Sequence, residues 1–90
     1  MKKRLTKSLY TEEWDALLKV LRDLRKRRKW TQTQLAGKLG RPQSTVAKIE
    51  AGERRLDVCQ FVDYVRILGG DPVETMREVM RTIQKSKSKY

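Results

Sequence analysis

The 90 residues include no histidine and a single cysteine, Cys59. Without histidine, a zinc site lacks its usual nitrogen ligand and acid–base catalysis its usual base. One cysteine excludes an internal disulfide. Its ordinary role is a small filler near a helix start, ahead of any redox role. No stretch is long and apolar enough to span a bilayer. The N-terminus, MKKRLTKSLYTEEW, is basic but has no apolar core after it, unlike a secretory signal. There is no Gly-rich phosphate loop, metal cluster, paired-carboxylate site or internal repeat. Asp15, Asp23, Asp63 and Glu78 fall on polar helix faces, where solvation accounts for them. These absences favour a binding module over an enzyme, with no cofactor, metal or membrane.

What the chain has in quantity is positive charge, a formal +11. Residues 1–30 carry 11 Lys/Arg against 4 Asp/Glu, and residues 31–56 carry 5 against 2. Residues 57–84 reverse the balance with 3 against 5, and the tail 85–90 adds three lysines. The positive field therefore sits on the N-terminal half and the tail, which implies a polyanionic partner, most simply double-stranded DNA. A solubilising surface is the plainer account. Ninety residues allow one small domain with a modest core, which dimerisation would help to stabilise.

The stretch Gln32 to Ala51, QTQLAGKLGRPQSTVAKIEA, predicts two short helices joined by a tight turn. Thr31 and Gln34 form a T-x-x-Q capping box. Leu35, Ala36 and Leu39 repeat at helical spacing. Gly40 follows the last apolar residue and stops the first helix. Pro42 suits the start of the second. Val46 and Ile49 should point back at the first helix, leaving Gln43, Ser44, Ala47 and Lys48 outward. An exposed face with an amide, a hydroxyl and a lysine, and no acid, suits base edges and phosphates in a major groove.

The run WTQTQLAGKLGRPQSTVAKIEAGERRLD resembles the helix-turn-helix of the XRE family, the fold of phage Cro and cI repressors. The matching positions are Thr31-Gln32, Leu35-Ala36, Leu39-Gly40, Gln43-Ser44, Val46, Ile49-Glu50 and Gly52. The resemblance implies an all-α, five-helix, lambda-repressor-like DNA-binding domain over residues ~20–70. It further implies that Arg25, seven residues before Gln32, pairs with Glu50 in a shielded structural bridge. Three positions depart from the family. Lys29 stands where glycine is common, Arg41 where the turn is usually apolar, and Pro42 where Ser or Thr usually caps.

On this reading the base contacts are Gln43, Ser44, Ala47 and Lys48, with Gln43 first because its amide matches adenine's N6 and N7 edge. Phosphate contacts fall to Thr31, Gln32, Arg41, Thr45, Arg54 and Arg55. Thr45 has a local capping role as its alternative. The basic run Arg25 to Lys29 admits three readings: cations complementing a helix C-terminus, phosphate contacts, and a nuclear-import signal.

Around this motif the chain divides into a basic arm (1–9), a folded domain (10–84) and a disordered basic tail (85–90). The arm tracks a phosphate backbone or minor groove, or is a frayed end without function. Thr11 caps a first helix with apolar residues Trp14, Leu17, Leu18, Leu21 and Leu24. Trp30 is expected to pack onto Leu35. Asp57 and Gln60 form a second capping box, before a helix with Val58, Phe61, Val62, Val65 and Leu68 on its core face. Gly69-Gly70 ends it, and Asp71-Pro72 starts a fifth helix.

Val73, Met76, Met80 and Ile83 follow a heptad seam. That helix packs on helix 1, pairs with a second copy, or does both. Trp14, Leu17, Val73, Met76, Met80 and Ile83 are therefore the candidate dimer interface. The expected function is a small cytoplasmic, nucleoid-associated transcriptional regulator of prokaryotic or phage type, a repressor acting as a homodimer. The alternative is an antitoxin that binds a protein toxin and represses its own operon. An RNA-associated basic factor is a third reading.

Overall fold

A computed structural model describes residues 11–86 and contains five α-helices, with no strand among the described residues. They are α1 (Glu12–Arg27), α2 (Gln32–Leu39), α3 (Gln43–Glu50), α4 (Val58–Ile67) and α5 (Pro72–Ser86). The all-α helix-turn-helix architecture is as the sequence implied. The arm 1–9 and residues 87–90 of the tail lie outside the described residues, whereas 85–86 extend α5 beyond the expected boundary at 84.

Local chemistry sets the helix starts. The Thr11 hydroxyl accepts from the Trp14 N–H at 3.1 Å. Thr31–Gln34 and Asp57–Gln60 each close a full capping box. At the start of α5, Asp71 Oδ1 accepts from the Val73 N–H at 2.8 Å. These bonds satisfy first-turn donors that have no partner within the helix.

The ends of α1 and α3 share one device. In α3, the Gly52 N–H reaches Ile49 O and the Glu53 N–H reaches Lys48 O, with Gly52 at φ +83°. In α1 the same pair of bonds runs from Lys29 to Lys26 and from Trp30 to Arg25. There the left-handed position belongs to Lys29, at φ +62°. The backbone has kept the turn that glycine would make, at the steric cost of a Cβ.

Trp14, Leu18 and Leu21 of α1 meet Leu35 and Ala36 of α2, Val46 and Ile49 of α3, and Phe61, Tyr64, Val65 and Leu68 at the end of α4, in one core. Trp30 is half-buried against this cluster. Its ring also carries the Arg28 guanidinium at 4.7 Å and the Lys38 ammonium at 5.7 Å. The back of α1 is buried as well. Ala16, Val20 and, from α5, Val79 are buried outside the main cluster, where α1 and α5 pack together. α1 is thus covered on two flanks, not along the single stripe that the periodicity suggested.

This arrangement corrects part of the expected dimer interface. Trp14 is only 5% exposed and lies in the core. Its indole N–H donates to the Gly52 carbonyl, 3.2 Å away, so the ring offers no surface to a second copy. Leu17 and Ile83 are half-buried. Val73 and Met80 are 61% and 59% exposed, and Met76 is exposed beside them. The face of α5 turned inward carries Thr75 and Val79 instead. The heptad-spaced residues are therefore largely the outer face of α5.

Candidate nucleic-acid interface

α2 and α3 pack directly on each other, and α3 has two unlike sides. Val46 and Ile49 are buried, while Gln43, Ser44 and Lys48 are exposed and Ala47 and Thr45 half-buried. An eight-residue helix is too short to hold its own geometry in water. α1 supplies the missing constraint at the C-terminal end of α3. Arg22 Nη1 donates to the Glu50 carbonyl at 2.8 Å. Arg25 donates to the Glu50 carboxylate from Nε at 2.6 Å and from Nη2 at 3.0 Å. Its remaining nitrogen, Nη1, donates to the Trp30 carbonyl at 2.7 Å. Trp14 holds Gly52, just past the helix end.

The Arg25 and Glu50 side chains are 12% and 5% exposed. The Glu50 hydrogen bond raises the Arg25 pKa above its ordinary value, outweighing partial desolvation. Two-point contact between guanidinium and carboxylate also fixes the mutual orientation of α1 and α3. Behind the pair lies Tyr64, whose buried hydroxyl has no hydrogen-bond partner among the described residues. Burial pushes its phenol well above the usual range, and the nearby Glu50 charge adds to the effect.

Polar contacts continue from the ion pair to the surface. Glu50 Oε1 also accepts from Gln32 Nε2 at 3.0 Å, and Gln32 Oε1 accepts from Gln43 Nε2 at 2.9 Å. Arg25, Glu50, Gln32 and Gln43 thus form one connected set. The Thr31 hydroxyl accepts from the Gln34 N–H at 3.1 Å, which leaves its own O–H free to donate. Arg41, Thr45 and Arg54 line one cavity of about 160 Å³ along an edge of α3, floored by Ile49 and Tyr64. Arg41 points outward, as a charge in an unpaired turn position must. Arg55 stands apart, with its guanidinium 4.8 Å from the centre of the Trp14 ring. At the start of α3, Pro42 makes no side-chain cap, so the first-turn N–H groups have no side-chain acceptor.

Sequence reasoning missed Arg22 and the Trp14 indole as anchors of α3. The available signal was spacing. Trp14, Leu18, Leu21, Arg22 and Arg25 fall at steps of three, four or one, on the side of α1 that faces the core.

Residues 16–78 match a family model described as a helix-turn-helix domain. A solved structure, an XRE-family like protein from Pseudomonas syringae pv. tomato str. DC3000, is 42% identical, with a TM-score of 0.76. The similarity covers 86% of this chain and 94% of that one. The chain belongs to the XRE family of helix-turn-helix proteins. Among curated proteins none matches it. As a member of the XRE family it is a DNA-binding transcription regulator. The Lys29, Arg41 and Pro42 departures leave the XRE helix-turn-helix geometry in place: Lys29 adopts the turn, Arg41 faces solvent, and Pro42 starts α3 without a cap. No helix among the described residues is long and apolar enough to cross a membrane.

Proposed function

We propose that the protein is a sequence-specific repressor that reads duplex DNA with α3 in the major groove. One observation carries this reading: the amide, hydroxyl and ammonium of Gln43, Ser44 and Lys48 face solvent while Val46 and Ile49 are locked inside. Gln43, Ser44, Ala47 and Lys48 contact base edges. Thr31, Gln32, Arg41, Thr45, Arg54 and Arg55 contact phosphates and set the register of the helix on the duplex. If about six or more phosphates are neutralised, affinity falls by roughly three or more orders of magnitude between about 50 and about 200 mM salt. A nearly flat salt response would remove the electrostatic support. The deciding experiment is selection of bound sequences from random duplex DNA. A recurrent motif is expected, and its absence would refute sequence-specific reading.

The protein acts as a cytoplasmic homodimer on this proposal. Val73, Met76 and Met80 form the exposed seam, while Ile83 and Leu17 are half-buried. Residues 57–84 carry net negative charge and the remainder net positive charge. α5 itself carries Arg77, Arg81 and Lys85 against Glu74 and Glu78, so pairing through it sets little net charge against its copy. Two recognition helices would then meet major grooves about one turn, ~34 Å, apart. The same exposed apolar residues also suit a protein toxin, the antitoxin reading. Sedimentation of the isolated chain separates the two. A concentration-dependent dimer abolished by Met80→Lys supports self-pairing, and a monomer at all concentrations supports a different partner.

A further inference from the structure

We propose that the cavity along the edge of α3 binds a small aromatic monocarboxylic acid, and that the bound acid releases the protein from DNA. The cavity, about 160 Å³, lies where the end of α2, α3 and α4 meet, beside the loop that joins α3 to α4. Its floor is apolar: Ile49 and Tyr64 are buried, and Leu39, Leu56 and Ile67 half-buried. Its rim is polar, with Arg41 from the turn, Arg54 from the loop, and Asp63 on α4, all exposed. A phosphate is polar on every side, so two arginines would serve it without any apolar floor. The carbon-rich side chains beneath them call for a ligand with a body as well as a charge.

The volume sets the size of that body. An apolar cavity of ~150 Å³ holds one benzene ring. Charge sets the head group. Neither Arg41 nor Arg54 has an ion-pair or hydrogen-bond partner among the described residues. A guanidinium presents a planar fork that takes a carboxylate with two parallel bonds, and its face can lie on an aromatic ring. Asp63 is likewise unpaired among the described residues and puts one negative charge on the α4 side. It repels a second carboxylate, so a monoacid fits and a diacid does not. Benzoate is the simplest molecule with these properties. Its consequence for DNA rests on reading Arg41, Thr45 and Arg54 as phosphate contacts. A carboxylate seated at the two guanidiniums occupies the donors that a phosphate needs. By linkage, each ligand then lowers the affinity for the other.

Titration of the full chain with sodium benzoate, followed by backbone amide NMR shifts, tests the site without DNA. Saturable shifts at Leu39, Ile49, Leu56 and Ile67 are expected, with a Kd on the order of 0.1–1 mM. Acetate supplies the charge without the ring, toluene the ring without the charge, and isophthalate a second carboxylate. Each should bind at least about tenfold more weakly than benzoate. Ile67→Phe fills the cavity and should abolish the shifts. Leu56→Phe repeats that test if the first variant loses helical content by circular dichroism. Asp63→Asn should narrow the gap between benzoate and isophthalate. Binding to the selected duplex is then measured in benzoate against sodium chloride of equal ionic strength, because salt alone weakens phosphate contacts.

Benzoate at about ten times its own Kd should raise the apparent Kd for DNA about tenfold in the wild type, and leave that of Ile67→Phe unmoved. No saturable shift up to about 10 mM benzoate, or toluene binding as tightly as benzoate, would overturn the site. Saturable benzoate binding with unchanged DNA affinity would overturn the release, together with the assignment of Arg41 and Arg54 to phosphates, while the site itself stands. If no duplex binds at all, the release falls with the DNA reading, and the benzoate titration still decides the site.

Discussion

At its C-terminal end α3 is tied to α1 by Trp14, Arg22 and Arg25, whereas its N-terminal end begins on Pro42 with no side-chain cap. The first end has its carbonyls and its one carboxylate satisfied by the protein itself, and two arginines complement the negative pole of the helix. The second end has no side-chain cap: the Thr45 N–H donates to the Pro42 carbonyl at 3.0 Å, Gln43 donates to Gln32 while staying exposed, and Ser44 is exposed beside it. A short helix that must both hold still and bind has divided these tasks along its length. The contacts that hold α3 are concentrated at Glu50, and the proposed reading puts recognition at Gln43, about two turns away.

The largest effect should come from the anchored end. Glu50→Ala or Arg25→Ala leaves a charge stranded in a nearly buried site and should cost about 3–5 kcal/mol in urea unfolding. Replacing both, as Arg25→Met with Glu50→Leu, should recover most of that loss. A single-variant loss near that of an exposed ion pair would break the contrast between the two ends. At the open end, Gln43→Ala should leave the unfolding midpoint unchanged and cost about 1–3 kcal/mol on the cognate site. Arg54→Ala should weaken all sequences alike and reduce the slope of the salt dependence by about one. Equal loss on every sequence for Gln43→Ala would erase the distinction between reading and anchoring.

A smaller effect is expected from Lys29→Gly. It relieves a left-handed residue and should stabilise the fold by about 1 kcal/mol, with no change in DNA preference. The smallest concerns Tyr64, behind the anchored end. Tyr64→Phe removes a buried hydroxyl without a partner among the described residues, and should be neutral or stabilising by less than about 1 kcal/mol. The tyrosine also carries a pH signature. Its folded-state pKa is raised, so above its ordinary value near 10.0 the unfolded chain loses the proton first and stability falls as pH rises. Thermal melts should show this alkaline loss to be smaller in Tyr64→Phe.

The legible parts of this molecule were the local ones. Thr31 with Gln34 and Asp57 with Gln60 are contained within single turns, so a reader of the chain can see both partners at once. The exposed and buried sides of α3 follow from helical spacing. The Arg25–Glu50 pair was available through the family resemblance alone, because no local rule links residues 25 apart. Trp14 was misplaced because apolarity says that a ring will be covered and not by what. α5 was legible only in part, for a related reason. Its obvious apolar seam faces outward, and its packed side uses Thr75, a residue that hydropathy does not mark as core. The Gln32 link to Glu50 was hidden because a solvent-facing glutamine and one turned inward look identical in a sequence.

α1, covered on both flanks, has a bearing on how this XRE protein measures DNA. In a dimer joined through α5, α1 would act as the spacer between the pairing surface and the reading helix, one helix diameter of ~10 Å on each side. A continuous rod of 16 residues has little room to bend. The gap between half-sites would then be written into the thickness of packed helices, and an operator stretched by a base pair or two would have to deform to meet it.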